Sequence, residues 1–227
     1  MQPHDFWQKI HSPETFGPAE SHSGFFPVEL DDGRQIKLPI RPLPDGEHAL
    51  ASLIINQASF AVQDALAKAL AAKLKAFQPE IVVGLPTLGL TLASAVAREL
   101  GHSRFVPLGT SRKFWYLEEI SVSLSSITTP DQRKRLYVDP RMLPLLDGKR
   151  VALIDDVISS GSSMLAGLQL LSACKIDPVV LGVAMVQTQR WRSHLESVAP
   201  ASSTKVVGVF STPMLTRTLE GDWIEKD

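Results

Sequence analysis

The feature that most constrains the fold is the alternation, beyond residue 58, of short apolar runs with amphipathic helical segments. The apolar runs lack the polar alternation of half-exposed strands, which is typical of strands buried on both faces of a sheet. They are EIVVGL (80–85), RFVPLG (104–109), RVALIDD (150–156), PVVLGVAMVQ (178–187) and KVVGVF (205–210). Helical spacing of apolar residues lies between them at 58–77, 91–100 and 162–175. This order predicts right-handed βαβ units and therefore an α/β fold with a central, mainly parallel sheet flanked by helices.

Length and composition limit the class of protein. The chain has 227 residues and a mass of 24.8 kDa, enough for one sizeable α/β domain. Its 23 Lys and Arg nearly balance 24 Asp and Glu, which argues against a nucleic-acid partner. The single cysteine, Cys174, excludes a disulfide framework, and no apolar run approaches the ~18 residues of a membrane span. The first residues show no secretory signal pattern, so we expect a cytoplasmic protein with no membrane partner.

The N-terminal part of the chain follows a different pattern. Residues 1–24 are rich in His, Ser and Pro and predict an irregular lead-in. FFPVEL (25–30) and RQIKLPI (34–40) then flank an Asp-Gly turn at 31–33, which predicts a β-hairpin. In the first helical segment, the apolar residues expected to face the core are Phe60, Leu66, Leu70, Leu74 and Phe77.

One segment carries the chemistry, VALIDDVISSGSS at residues 151–163. Its strand delivers two adjacent carboxylates, Asp155 and Asp156, to the C-terminal edge of the sheet, where ligands of open α/β sheets bind. The following loop places four serines around Gly161 and begins a helix, so its hydroxyls and free N–H groups form a cradle for an anion. Together these groups favour a phosphorylated sugar. The alternative is a strand end and a helix cap without a ligand, but a cap needs only one such residue.

This segment closely resembles the phosphoribosyl-pyrophosphate (PRPP) signature of the type I phosphoribosyltransferases, and the resemblance implies their fold. It implies that Asp155 and Asp156, the predicted catalytic residues, hold the ribose 2- and 3-hydroxyls and that the serine loop holds the 5-phosphate. The predicted PRPP-binding residues are Asp155, Asp156, Val157, Ile158, Ser159, Ser160, Gly161, Ser162 and Ser163. The resemblance also implies Mg²⁺ as cofactor, carried mainly by PRPP, with no metal cage in the protein.

The resemblance extends to the pyrophosphate side of the site. The family's short pyrophosphate loop corresponds to Leu85, Pro86, Thr87, Leu88 and Gly89, in which Thr87 has the only polar side chain. The family's mobile loop, which closes over pyrophosphate, corresponds to about 110–138. From that loop, Arg112, Lys113 and Tyr116 are predicted to contact pyrophosphate. The basic run at 133–135 is expected to be a solvated surface.

The acceptor base is indicated by similarity to xanthine phosphoribosyltransferases and purine operon repressors. SLIINQASFAVQDAL (52–66) resembles their base-side region, with Asn56 but without their His, so Asn56 is predicted to contact the base. Where oxopurine-specific relatives often have a Lys, this chain has Gln187. Because a 6-oxo group requires a donor and a 6-amino group an acceptor, this change favours adenine, although a nearby arginine could still donate. Phe210 is expected either to stack on the base or to pack in the core.

The resulting hypothesis is a single phosphoribosyltransferase domain over 1–227. Residues 1–57 form a lead-in and a hairpin, 58–210 the α/β core, and 211–227 complete a small hood over the base. The predicted reaction transfers 5-phosphoribosyl from PRPP–Mg to N9 of a purine, giving a nucleoside monophosphate and pyrophosphate in purine salvage. The resemblance also implies a homodimer. Two alternatives stay open: a non-catalytic PRPP-binding regulator of the same fold, and a phosphoribosyltransferase for xanthine, guanine or a pyrimidine base.

Overall fold

The computed structural model describes residues 2–124 and 134–226. The strands are β1 (Phe25–Glu29), β2 (Gln35–Pro42), β3 (His48–Ala51), β4 (Ile81–Gly84), β5 (Val106–Pro107), β6 (Ser121–Leu124), β7 (Lys134–Tyr137), β8 (Val151–Ile158), β9 (Val180–Gln187), β10 (Val206–Thr212), β11 (Met214–Arg217) and β12 (Trp223–Lys226). The helices are α1 (Phe60–Leu74), α2 (Gly89–Glu99), α3 (Ser162–Ala173) and α4 (Arg190–Val198). In the described part of the chain, none of these helices has the length and apolar character needed to cross a bilayer.

The core is a five-stranded parallel sheet with the strand order β10-β9-β8-β4-β5. Helices α1 and α2 pack on one face, and α3 and α4 pack on the other. Every residue of β9 and all but one residue of β8 are buried, as expected for central strands covered on both faces. The predicted α/β class with a mainly parallel sheet is therefore confirmed.

Helix α1 begins after Ser59, whose hydroxyl accepts a hydrogen bond from Val62 N at 3.3 Å. Its buried face includes Val62, Leu66 and Leu70. The expectation that Phe60 faces the core is wrong, because this side chain is 82% exposed. Phe60 precedes Val62 by two residues, which is about 200° of helical rotation, so it points away from the buried face.

The hood, defined by strands β1, β2, β3, β11 and β12, is an antiparallel sheet. Its first hairpin turns at Gly33, where φ is +81°, in agreement with the predicted Asp-Gly turn. The chain just before β1 pairs with the opposite edge of the sheet. His22 N donates to Trp223 O at 2.7 Å, and Trp223 N donates to His22 O at 3.0 Å. This pair joins the two edges, and the hood therefore closes on itself.

The N-terminal segment packs against the rest of the protein, although its sequence predicts only an irregular lead-in. Trp7 is 3% exposed, and its indole Nε1 donates to Ser52 O at 3.0 Å. Ser59 N donates to Trp7 O, also at 3.0 Å. His11 forms a bridge with Gln35 at the start of β2. The segment thus connects the hood to the turn between β3 and α1.

The stretch between β5 and β8 interrupts the β–α alternation, as its polar composition predicts. Strands β6 and β7 form an antiparallel pair, and Tyr137 bridges back to Gly109 beyond β5. Leu136 and Val138 are buried in the cluster that also contains residues of α3. The predicted flexible loop at 110–138 therefore includes two short strands. Its part at 125–133, with the first residue of the basic run, lies outside the described residues.

Replacing Trp7 removes both buried packing and a hydrogen bond. We expect Trp7→Ala to lower the free energy of unfolding by about 3–5 kcal/mol, measured by urea titration. Phe114→Ala is the matched control, because Phe114 is 95% exposed, and its loss should be about 0.5 kcal/mol or less. Equal losses for the two variants would contradict the structural role of the N-terminal segment.

Candidate functional site

Asp155 and Asp156 lie in β8 at the point where its neighbour β4 ends. The last residue pair of these two strands is Gly84 with Ile154, so both acids follow the end of β4 but precede the end of β8. They are therefore within the ladder that β8 forms with β9, rather than at the end of the strand. Each acid is 7% exposed. Asp156 N donates to Asp155 Oδ1 at 3.0 Å.

The serine loop, residues 159–163, connects β8 to α3. Gly161 has a φ of +82° and stands at the N-cap of α3, where it has no side chain to accept from the first-turn N–H groups. Ser160 Oγ lies 3.1 Å from Ser162 Oγ and 3.4 Å from Ser162 N. The N–H groups at the start of α3 suit an anion. Ile158, which precedes the loop, has its side chain in the core, so only its backbone is available to a ligand.

The loop between β4 and α2, residues 85–89, reaches the acid pair. Leu85 N donates to Ile154 O at 2.9 Å, and the Leu85 side chain is buried. The peptide bond between Pro86 and Thr87 is cis. Gly89 begins α2 so close to β8 that a Cβ atom there would stand 2.6 Å from Asp155 Oδ1 and 2.9 Å from Asp155 Cα. The structure thus brings together the acid pair and the loop predicted to bind pyrophosphate.

The three residues predicted to reach pyrophosphate from the flexible loop have other neighbours. Arg112 Nη1 lies 3.4 Å from Glu118 Oε2. The ring centroids of Tyr116 and Tyr137 are 5.8 Å apart, and Lys113 is exposed. Among the described residues, no hydrogen bond or ion pair joins any of the three to the acid pair. Their contact with pyrophosphate stays a prediction.

The three residues predicted to bind the base have different environments. Asn56 is exposed in a 3₁₀ turn before α1. Gln187, the last residue of β9, is 7% exposed, and its Nε2 donates to Ala51 O at 2.7 Å. Its Oε1 accepts no hydrogen bond from any residue that the structure describes. Phe210 is buried in the apolar cluster that contains α1, which agrees with core packing.

Helix α4 contacts the serine loop, and the sequence does not predict this contact. His194 Nδ1 lies 2.9 Å from Ser160 O. A Cβ atom at Gly161 would stand 2.7 Å from Leu195 Cδ1 and 3.3 Å from Trp191 Cβ. The three α4 residues are spaced i, i+3 and i+4, which indicates one helical face. This spacing predicts that the three residues share a helical face, but it does not predict which segment of the protein that face contacts.

Comparison with known proteins agrees with this arrangement. The family model described as "Phosphoribosyl transferase domain" matches residues 51–212, which is more than two thirds of the chain. The chain belongs to the phosphoribosyl transferase domain family. The match includes the acid pair, both loops, α4 and the whole parallel sheet.

Two curated relatives of this phosphoribosyl transferase domain differ in the function that their names state, one being named as an enzyme and the other as a regulator. The adenine phosphoribosyltransferase of Acidovorax sp. (strain JS42) is 35% identical over 116 residues, which cover 49% of this chain and 56% of the relative. The transcriptional regulator GfcR of Archaeoglobus fulgidus is 25% identical over 132 residues, covering 57% of this chain and 58% of the relative. The chain thus spans just over half the length of these relatives.

Solved structures confirm the type I phosphoribosyltransferase fold. The APRTase from Giardia lamblia complexed with 9-deazaadenine has a TM-score of 0.59 at 20% identity, covering 83% of this chain and 93% of that one. The adenine phosphoribosyltransferase from Trypanosoma brucei in complex with AMP, pyrophosphate and ribose-5-phosphate has a TM-score of 0.52 at 22% identity, covering 67% of this chain and 63% of that one. At these identities the likeness shows the fold.

The acid pair of this phosphoribosyl transferase domain is buried without a positive partner. No Lys, Arg or His in the described ranges forms an ion pair with either carboxyl group. Burial raises the pKa of Asp155 well above its ordinary value, and the charge and hydrogen bond of Asp156 raise it further. Burial also raises the pKa of Asp156. The pair therefore retains a proton to higher pH than free carboxyl groups do, and a ligand that donates hydrogen bonds to it would favour the ionised form.

The raised pKa of Asp155 makes stability depend on pH. Between the ordinary and the raised pKa the native state binds more protons than the unfolded state, so the free energy of unfolding falls as pH rises through that interval. We expect Asp155→Asn to remove this pH-dependent loss of stability, so that the Tm difference, variant minus wild type, grows as the pH rises above the ordinary pKa of a carboxyl group. Thermal unfolding at several pH values measures it. A Tm difference independent of pH would contradict the buried, protonated state.

Gly89 has no room for a side chain. We expect Gly89→Ala to lower the free energy of unfolding by about 1–3 kcal/mol, because the added methyl group would collide with Asp155 and with the backbone of β8. Gly17→Ala is the matched control, since nothing lies within 4 Å of a Cβ atom there, and its change should be within about 0.5 kcal/mol. Urea titration compares the two. Equal free energies of unfolding for the two variants would show that the 85–89 loop can move away from β8 without loss of stability.

Proposed function

We propose that the protein is a purine phosphoribosyltransferase that transfers the 5-phosphoribosyl group from PRPP to N9 of a purine, preferably adenine. The observation that carries the proposal is that the 85–89 loop reaches Asp155, in the strand that leads into the serine loop. The acid pair, the serine loop and the 85–89 loop lie at the carboxyl edge of the parallel sheet, with Gly89 in contact with Asp155. In the proposed site, carboxylates that accept hydrogen bonds from hydroxyls lie between two backbone segments suited to anions, as a sugar with phosphate at both ends requires. The product would be a nucleoside monophosphate, as in purine salvage.

In the proposed reaction the protein positions PRPP and forms no covalent bond with it. Asp155 and Asp156 accept hydrogen bonds from the ribose 2- and 3-hydroxyls. The N–H groups of 159–163 bind the 5-phosphate, and those of 87–89 bind pyrophosphate, because Leu85 N already donates to Ile154 O and Pro86 has no N–H. The bond between C1 and the pyrophosphate oxygen breaks while N9 of the base attacks from the opposite face, through an oxocarbenium-like transition state. The proton of the purine imidazole ring passes to water or to the departing pyrophosphate. The two acids stabilise the positive charge that develops on the ribose.

Mg²⁺ fits this site as a companion of PRPP. In the ranges that the structure describes, no group of three or more His, Cys, Asp or Glu could hold a metal ion. The carboxylate oxygens of Asp155 and Asp156 have no cationic partner there, and such oxygens are ligands that Mg²⁺ prefers. We propose that the ion arrives with PRPP and takes at most these two carboxylates from the protein. When bound, it neutralises charge on the pyrophosphate group.

Gln187 supports the preference for adenine because its amide is held in one orientation. Its Nε2 donates to Ala51 O, so Oε1 is the amide atom left for a ligand. An amide oxygen only accepts hydrogen bonds, and the exocyclic amino group of adenine donates them, whereas a 6-oxo group would meet a second acceptor. A base that donates to Oε1 would therefore bind more tightly than one that does not.

A PRPP-binding regulator is the second candidate function. The similarity to a transcriptional regulator favours it, as does the lack of any charged side chain in the 85–89 sequence. In such a regulator the same loops would bind PRPP without converting it. The two candidates differ in one measurable property, the release of pyrophosphate.

Pyrophosphate release with PRPP, MgCl₂ and one base at a time tests the proposal. We expect release with adenine and slower release with hypoxanthine, guanine, xanthine, orotate and uracil. The double variant Asp155→Asn/Asp156→Asn should lose PRPP binding in calorimetry, whereas Asp147→Asn, at an exposed acid, should keep it. PRPP binding without release for any base would support the regulator. No PRPP binding by the wild type would overturn both candidates.

The role of Gln187 is tested in the same assay with Gln187→Met, which has similar length and no amide. We expect the KM for adenine to rise about tenfold, the effect of one lost hydrogen bond, while the KM for PRPP changes little. The preference for adenine over hypoxanthine should shrink accordingly. An unchanged preference would show that another group selects the base.

A further inference from the structure

We infer that His194 is a positioning residue, which holds the serine loop in the conformation that binds phosphate. This inference rests on the proposed function only in assigning the 5-phosphate of PRPP to that loop. It starts from the contact between α4 and the loop, whose residues are 34 positions apart in the sequence. No part of the reaction proposed above uses α4.

The first observation is the hydrogen bond between His194 Nδ1 and Ser160 O at 2.9 Å. A backbone carbonyl only accepts hydrogen bonds, so Nδ1 must carry the proton. His194 therefore provides a hydrogen-bond donor to the loop.

The second observation is the packing of α4 against the next residue of the loop. Gly161 lies so close to Leu195 and Trp191 that a Cβ atom would stand 2.7 Å and 3.3 Å from their side chains. Both α4 residues are buried, and the indole of Trp191 donates to Thr188 O at 3.1 Å. Because Trp191 and Leu195 anchor α4 in the core, their packing against Gly161 restricts the movement of the loop.

These two contacts determine the orientation of one peptide group. In a planar trans peptide the carbonyl and the N–H point in opposite directions. Since the Ser160 carbonyl is held toward α4 by His194, the N–H of Gly161 points away from α4. An N–H so directed at the start of α3 is available to an anion. Without the His194 bond this peptide group could rotate, and phosphate binding would have to reorder it.

Three substitutions at His194 separate the hydrogen bond from the bulk of the side chain. The amide nitrogen of Asn takes nearly the same position as Nδ1, whereas that of Gln reaches the position of Nε2. We expect His194→Ala and His194→Gln to raise the KM for PRPP about tenfold, and His194→Asn to stay near the wild type. The KM for adenine and kcat should change less than about twofold, because the bound loop is the same once PRPP is in place.

Amide hydrogen exchange of the protein without ligand tests the positioning role independently of catalysis. Exchange in a peptide covering 159–163 should be faster in His194→Ala and His194→Gln than in the wild type and His194→Asn. Exchange in the 85–89 loop, which α4 does not contact by any bond found among the described residues, is the internal control. Unchanged exchange in 159–163, or equal effects of all three substitutions, would overturn the inference. Faster exchange in a protein whose wild type binds no PRPP would overturn the proposed function and leave the positioning role standing.

Discussion

The burial of two adjacent carboxyl groups in β8 is the constraint on which the rest of the site depends. Asp155 and Asp156 are removed from water, and within the described chain no cation compensates them. Such a pair is stable only if it keeps a proton or if a ligand supplies hydrogen-bond donors and positive charge. The neighbouring strand β4 stops just before the pair, and the 85–89 loop that follows β4 reaches Asp155. A diol, which donates hydrogen bonds, and a divalent cation, which supplies positive charge, would together stabilise the ionised pair.

Both loops around this pair use the same structural device, a glycine at the start of a helix with no space beside it. Gly89 is pressed against β8, and Gly161 is pressed against α4. In each case the absence of a side chain lets a helix start come close to its neighbour. In the proposed function, backbone N–H groups at these helix starts bind the anions, so the 85–89 loop needs no charged side chain. Side-chain identity alone does not reveal such a contribution of backbone geometry.

The parallel sheet, the Asp-Gly hairpin and the acid–serine segment could be predicted from the sequence because each depends on neighbouring residues. Apolar runs without alternation indicate buried strands, and a positive φ at Gly33 follows from its position in the turn. The features that the sequence does not predict depend on contacts between residues that are far apart in the chain. The bond from Gln187 to Ala51 spans 136 residues, and the burial of Trp7 depends on the turn near Ser52. Phe60 was misjudged because apolar spacing near a helix end does not fix which face is covered.

The closure of the hood has a consequence for how the protein is made. Its strands precede and follow the α/β core in the sequence, and the backbone bridge between His22 and Trp223 closes it. During synthesis the first three strands leave the ribosome long before β11 and β12, so both edges of this partial sheet stay unpaired until nearly the whole chain has emerged. An unpaired edge invites association with other chains. The parallel core, which is continuous in sequence, is able to form first and serve as the template on which the hood is completed.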